Sequence, residues 1–155
     1  MPINPLLTNN LIDSCAFDPK YEPENSASFE IFRLASDEKF RLIIAHSTQK
    51  EIDHPNTPAW VKGEAQNRIC TLNVQLTQNE RAMLAKIEAI LAGNGKIEKI
   101  KQDAQHVFEA QKYGSYFITT DKRILSRTEQ LEKECTVLVL KPSEFLALAY
   151  QYIGR

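Results

Sequence analysis

The chain has 155 residues, of which 43% are hydrophobic and 25% are charged, and its formal net charge is -1. These proportions are those of a globular protein and exclude a disordered chain. The length suits one folding unit, so we expect residues 1–155 to form a single domain. The near-zero net charge argues against a protein that coats nucleic acid regardless of sequence.

The cysteines and the apolar segments bear on where the protein works. Cys15, Cys70 and Cys135 are odd in number and are spaced too widely for a zinc site, so we expect reduced thiols in a cytoplasmic protein. The start, MPINPLLTNN, lacks a charged leader, and no apolar window is long enough to cross a bilayer. We therefore expect no membrane partner.

The predicted elements alternate between strands and helices. Short apolar runs predict strands, whereas helical spacing between capping and stop residues predicts helices. In chain order we predict a strand at 10–13, a helix at 26–38, a strand at 41–45, a short helix around Glu51, a helix at 59–69, a strand at 71–76, helices at 77–91 and 96–113, strands at 115–121 and 137–140, and a helix at 143–153. This order predicts an α/β fold of three layers, α/β/α, with a mostly parallel central sheet.

Acids from separate segments are expected at one edge of this sheet. Asp13 and Asp121 close predicted strands, and parallel strands end at the same edge. Glu51 lies in a predicted helix that starts from that edge. The helix that carries Asp103 and the strand at 115–121 run in opposite directions and have similar lengths. The strand therefore brings Asp121 back to the edge at which Asp103 lies. The sequence therefore predicts a site formed by all four acids.

Each acid also has a simpler explanation when taken alone. Asp13 and Asp121 could cap the helices that follow them, and Glu51 could be a surface charge. Asp103 is harder to explain in this way, because it shares a helical face with Val107, on the stripe expected to face the core. An acid at such a position needs a partner.

A cluster of carboxylates favours a bound cation. Two unit charges 4 Å apart repel by about 4 kcal/mol near a protein surface, and a cation removes that cost. Oxygen ligands with no histidine or thiolate nearby favour Mg²⁺ or Mn²⁺. Such an ion can activate water for attack on a phosphodiester, so a phosphodiester is the expected substrate group.

Several segments that carry these acids resemble a known family when taken together. They are LIDSCAF around Asp13, EID at Glu51, DAQHVFEAQKYGSYFITTDKRIL from Asp103 to Leu125, and VLVLKPSEFL near the C-terminus. In this order, and over nearly the whole chain, they are similar to a PIN domain. The resemblance implies a PIN-like α/β fold and a metal-dependent endoribonuclease, and many such proteins are VapC-type toxins of toxin-antitoxin pairs.

The resemblance also implies roles for individual residues. Asp13, Asp103 and Asp121 are expected to bind one or two Mg²⁺ or Mn²⁺ ions, with Glu51 contributing directly or through water. RNA is the expected substrate, and an antitoxin protein and a second copy of the chain are candidate partners. The chain departs from the family where it has Cys15 in place of the frequent Asn after Ser14.

Other side chains are candidates for binding substrate. Ser14 and Thr120 match family positions whose hydroxyls orient carboxylates or substrate, although both could be ordinary turn residues. Lys122 and Arg123 follow Asp121 and could guide phosphate, or form a solvated helix face. They stand where several family members carry a further acid, which leaves the number of bound ions open.

The remaining aromatic and histidine residues allow more than one interpretation. Trp60 and Tyr116 could stack on an unpaired base or pack in the core. His54 and His106 each follow an acid by three residues, which is the spacing of di-iron helical bundles. Outside such a bundle, His106 could neighbour Asp103 at the site or be exposed. A PIN-like module that binds RNA or protein without cutting it is the non-enzymatic alternative.

Overall fold

The computed structural model describes residues 3–68 and 71–154. Its strands are β1 (Asn9–Ile12), β2 (Arg41–Ile43), β3 (Tyr116–Ile118) and β4 (Leu138–Leu140). Its α-helices are α1 (Glu24–Ser36), α2 (Gln49–Ile52), α3 (Ala59–Arg68), α4 (Gln78–Ala92), α5 (Lys101–Tyr113), α6 (Lys122–Leu125), α7 (Thr128–Cys135) and α8 (Pro142–Ile153). No helix in these residues is long and apolar enough to span a membrane.

The four strands form one parallel sheet in the order β2-β1-β3-β4. Leu11 of β1 pairs with Ile43 of β2 on one side and with Phe117 of β3 on the other. The fold is therefore α/β with an all-parallel central sheet, which confirms the predicted class. Because all the strands point the same way, their carboxyl ends lie at a common edge.

Helices cover both faces of the sheet because the strand side chains alternate between two cores. Leu11 and Phe117 face one core, whereas Ile12 and Ile118 face the other. The first core receives buried apolar residues from α4, α5 and α7, and the second receives them from α1, α3 and α8. Both faces of the short strands are buried, as expected for parallel strands.

Most predicted elements are present, with boundaries shifted by a few residues. The predicted capping box at the start of α4 is confirmed, since Thr77 and Glu80 exchange hydrogen bonds. The expected strand at 71–76 is wrong, because these residues form no helix or strand, and Leu72 and Val74 are exposed. Residue 69, at the end of one predicted helix, lies outside the described residues.

Two further differences lie near the predicted site. The helix expected at 96–113 is interrupted, because a 3₁₀ turn at Ile97–Lys99 precedes α5 and Ile100 leaves the helical conformation. The strand predicted to end at Asp121 is too long, since β3 ends at Ile118 and the chain continues as a loop to Asp121. Helix α7 was not predicted.

Gly114 sets how closely α5 approaches β1. A Cβ atom at this position would lie 2.3 Å from the backbone oxygen of Asn9. The side-chain amide of Asn9 donates to the carbonyl of Tyr113 at 2.8 Å and fixes the same junction. The close approach needs a glycine, and it places the first turn of α5 over the carboxyl edge of the sheet.

Candidate metal centre

Acidic side chains from distant segments lie at the carboxyl edge of the sheet. Asp13 follows β1 directly and is buried, and its amide donates to the carbonyl of Ile118 at 2.9 Å. Glu51 lies on α2, and His106 lies on α5. Asp13, Glu51 and His106 each offer one potential ligand atom, and these atoms lie within 4.8 Å of one another. A single cation could contact all three side chains.

Asp13 is the most buried of the predicted acids, with 4% of its surface exposed. Burial raises the pKa of its carboxyl group, while the charge of His106 and a hydrogen bond from Thr119 oppose the rise. Thr119 Oγ1 donates to Asp13 Oδ2 at 2.8 Å, and Cys15 Sγ lies 3.4 Å from the same oxygen. Among the described residues no donor reaches Oδ1 of Asp13, so this atom is free for a cation.

Glu51 is held from two sides. Ser14 donates a short hydrogen bond to its Oε2, and His106 Nε2 lies 3.1 Å from its Oε1. These contacts lower the pKa of the Glu51 carboxyl, with the hydrogen bond from His106 as the largest cause. Glu51 is therefore an oriented carboxylate rather than the free surface charge that its local sequence allows.

His106 is the main residue that the sequence-based site omitted. It is fully buried, so the alternative that it is exposed is wrong, and its Nδ1 lies 2.7 Å from Ser47 Oγ. Burial alone would lower its pKa, but the contact with Glu51 and the charges of Asp13 and Asp103 raise it. The premise that no histidine or thiol lies near the acids is also wrong. The sequence feature that could have identified His106 as a site residue is its position three residues after Asp103, on the same helical face.

Asp103 is half-buried in the first turn of α5. Burial, together with the charges of Asp121, Asp13 and Glu51, raises the pKa of its carboxyl group to about 6. The charge of His106 partly offsets this effect. The carboxyl group of Asp103 therefore experiences the charges of the other three predicted acids at this edge.

Asp121 caps the helix that follows it, which is the simpler explanation offered by the sequence. Its Oδ1 accepts from the amides of Arg123 at 2.8 Å and Ile124 at 3.4 Å, which caps α6. Asp13, in contrast, makes no capping bond to the turn that follows it. The cap uses only one oxygen of Asp121, so its second oxygen remains a possible ligand.

Of the predicted substrate residues, all of which the structure describes, only Ser14 contacts one of the predicted acids through its side chain. Ser14 binds Glu51, whereas Thr120 Oγ1 donates to the carbonyl of Cys15 at 3.1 Å. Near Asp121 in the chain, the hydroxyl that contacts a carboxylate is therefore that of Thr119, which donates to Asp13. Lys122 and Arg123 are exposed at the start of α6, beside the capping acid.

The structure also decides between the aromatic and histidine alternatives. Tyr116 is buried and packs edge-on against Phe145, so it is a core residue. Trp60 is 46% exposed and makes an edge contact with Phe32, which leaves part of its ring accessible. His54 is exposed in a loop, and a parallel sheet replaces the bundle that a di-iron site requires.

The donor set fits a divalent cation. Carboxylate oxygens suit Mg²⁺ and Mn²⁺, and an imidazole nitrogen is an acceptable ligand for Mn²⁺ and later transition ions. Ligands of one ion at about 2.1 Å are separated by up to about 4.2 Å, so the trio needs only a small contraction to share an ion. The fold and site together define an α/β protein with an acidic candidate metal centre at the end of its sheet.

No protein-family model matches the sequence, and no curated protein matches it. The PIN-like interpretation therefore depends on the motifs quoted above.

Proposed function

We propose that the chain is a PIN-like, Mg²⁺- or Mn²⁺-dependent endoribonuclease that hydrolyses phosphodiester bonds in RNA. The observation that carries the proposal is that Asp13 and Glu51 offer potential ligand atoms to one point at the carboxyl edge of a parallel sheet. The charges of Asp121, Asp13 and Glu51 also help to raise the pKa of nearby Asp103 to about 6. Carboxylates that repel one another are maintained where they serve a cation or a proton transfer.

The residues divide into distinct roles. Asp13 and Glu51 would hold the cation, with Asp103 and Asp121 completing its shell directly or through water. A bound Mg²⁺ or Mn²⁺ would polarise the phosphate and lower the pKa of water. Asp103 is the better candidate to accept the water proton, because no hydrogen-bond donor among the described residues holds its carboxylate. Glu51 is less suited, because hydrogen bonds already hold its carboxylate.

Exposed basic side chains support an RNA substrate. Lys122 and Arg123 lie directly after Asp121 and can reach a phosphate that approaches the acids. The ring of Trp60 is partly exposed and could stack on an unpaired base. A polyanionic single strand would thus meet positive charge beside the acidic site, where the cation neutralises the acids.

The test is cleavage of single-stranded RNA with Mn²⁺ or Mg²⁺, compared between wild type and variants. We expect Asp13→Asn and Asp103→Asn to lower the rate by at least about 100-fold, because they remove a ligand and a proton acceptor. Asp53→Asn is the matched control, since Asp53 is an exposed acid beside Glu51 whose side chain hydrogen-bonds only to Gln49 among the described residues. Wild type that leaves all RNA intact with either ion would refute the nuclease proposal.

A second candidate is a PIN-like module that binds RNA or protein without cutting it. The pairing of Glu51 with Ser14 and His106 favours this candidate, because it partly satisfies the site without an ion. RNA binding that persists in EDTA and in Asp13→Asn, with no cleavage, would select it.

A toxin role would follow from the nuclease activity. Expression in the cytoplasm would then arrest growth, and an antitoxin protein that blocks the site would relieve the arrest. Growth arrest by Asp13→Asn to the same extent as wild type would separate toxicity from cleavage.

A further inference from the structure

A buried polar network lies behind the candidate metal centre. Its core is Glu109 of α5, of which 1% is exposed. Glu109 accepts a short hydrogen bond from Ser47 on Oε2 and one from Thr71 Oγ1 at 2.6 Å on Oε1. His46 Nδ1 also lies 2.6 Å from Oε1. The proposed hydrolysis does not use this carboxylate, although burying it without a role would be costly.

The network determines which nitrogen of His106 carries a proton. Ser47 has one hydroxyl proton, and it is committed to Glu109 Oε2. The Ser47 oxygen can then only accept from His106 Nδ1, 2.7 Å away. Nδ1 is therefore the protonated nitrogen, and Nε2 is left to face the acids.

With the proton on Nδ1, the contact between His106 Nε2 and Glu51 indicates what must lie between them. Nε2 and Glu51 Oε1 are 3.1 Å apart, and both would present lone pairs if the imidazole were neutral. Something positive must lie at this contact, either a second proton on the ring or a cation. His106 is fully buried and its Nε2 belongs to the trio with Asp13 and Glu51. A cation that replaces the proton would gain a nitrogen ligand.

We propose that His106 Nε2 is a ligand of the bound cation and that Glu109, acting through Ser47, is the positioning residue that fixes its tautomer. The site is then a mixed nitrogen and oxygen site that prefers Mn²⁺ to Mg²⁺, since imidazole is a better ligand for transition ions. This inference rests on the cation site of the proposed function, but not on cleavage of RNA.

The first experiment is pulsed electron paramagnetic resonance of protein-bound Mn²⁺, which detects the coupling of a directly ligated ¹⁴N nucleus. We expect this coupling in wild type and in His54→Gln, an exposed-histidine control, and its loss in His106→Gln. Bound Mn²⁺ without nitrogen coupling in wild type would overturn the inference and leave an all-oxygen site for the proposed nuclease. No Mn²⁺ binding at all would overturn both.

The second experiment tests the role of Glu109 in the cation-free protein. Long-range ¹H-¹⁵N spectra report which imidazole nitrogen carries a proton. We expect His106 to be protonated at Nδ1 in wild type and in Ser47→Thr, which retains the hydroxyl. Glu109→Gln can donate to Ser47 and reverse its hydroxyl, so we expect loss of the Nδ1 proton. An unchanged His106 spectrum in Glu109→Gln would overturn the positioning role.

Cation affinities measured by calorimetry complete the test. We expect Ser47→Ala and Glu109→Gln to weaken Mn²⁺ binding by about 10-fold or more, as for other residues that orient a histidine ligand. Mg²⁺ affinity should change less, so the preference for Mn²⁺ should fall, and Ser47→Thr should retain it. Equal losses for both ions in Ser47→Ala and Ser47→Thr would indicate a structural role only and would overturn the proposal.

Discussion

The substitution Asp103→Asn is expected to stabilise the cation-free protein while it weakens cation binding. In the folded state, burial and the neighbouring acids raise the Asp103 pKa from 3.8 to about 6. Ionised Asp103 therefore opposes folding at neutral pH. Asparagine has a similar shape and no charge, so it removes this opposition together with one carboxylate of the proposed site.

The size of the effect follows from the pKa. A rise from 3.8 to about 6 corresponds to roughly 3 kcal/mol for a group shielded from solvent. Asp103 is half-buried, and solvent screening reduces this figure to about 1 to 2 kcal/mol. For a protein of this size, we expect the melting temperature to rise by roughly 3 to 6 °C.

The pH dependence of stability shows whether the Asp103 charge causes the gain. Between about pH 4 and pH 6 the folded state keeps a proton on Asp103 that the unfolded state loses, so wild-type stability falls as the pH rises through this window. Above pH 6 the difference is constant. The gain from Asp103→Asn should therefore be full at pH 7.5, smaller at pH 5 and absent below about pH 4.

Thermal unfolding followed by circular dichroism, in EDTA and in excess Mn²⁺, is a suitable assay. Wild type should gain about 2.7 kcal/mol at a Mn²⁺ concentration 100 times its Kd, and Asp103→Asn should gain much less. Asp53→Asn, outside the site, should match wild type throughout. A lower melting temperature for Asp103→Asn in EDTA at pH 7.5 would show that the electrostatic reasoning is wrong.

Three other predictions test individual parts of the structure. Desolvation and the Asp13 charge raise the pKa of the Cys15 thiol to about 12, although part of the residue is exposed. Iodoacetamide should therefore alkylate Cys15 slowly at pH 8 and faster in Asp13→Asn, as peptide mass spectrometry would show; equal rates would contradict this cause. Gly114→Ala should lower the free energy of unfolding in urea by about 3 kcal/mol or more, because its Cβ would meet a β1 carbonyl at 2.3 Å. Gly63→Ala lies in open space on α3 and should instead raise it by about 0.5 to 1 kcal/mol. Asp121→Ala should lose the α6 cap and lower the free energy of unfolding by about 1 kcal/mol. Asp121→Asn should retain most of this stability and still weaken cation binding. Equal stability losses in the two variants would refute the cap.

The sheet could be predicted because its strands carry strong local signals. The aromatic and β-branched run before Asp121 and the apolar run RLIIA have few alternatives in a chain with intervening helices. The segment at 71–76 has similar alternation but lies outside the sheet. Alternation records which side chains could share a face, and it does not show that a neighbouring strand is available.

The candidate site could be predicted only in part. Parallel connectivity was enough to bring Asp13 and Glu51 together, since it depends on strand direction alone. His106 and Glu109 could not be assigned in the same way. Their roles depend on the turn that carries Ser47 and on the loop that carries Thr71, whose positions relative to α5 are long-range features of the fold.

A crystal soaked in Mn²⁺ would give the most direct answer about the site, through an anomalous difference map. We predict one strong peak within roughly 2 to 2.5 Å of Asp13 Oδ1, Glu51 and His106 Nε2, with Asp103 and Asp121 reached directly or through water. A fully occupied peak elsewhere, with none at the carboxyl edge of the sheet, would contradict a metal centre built from these residues.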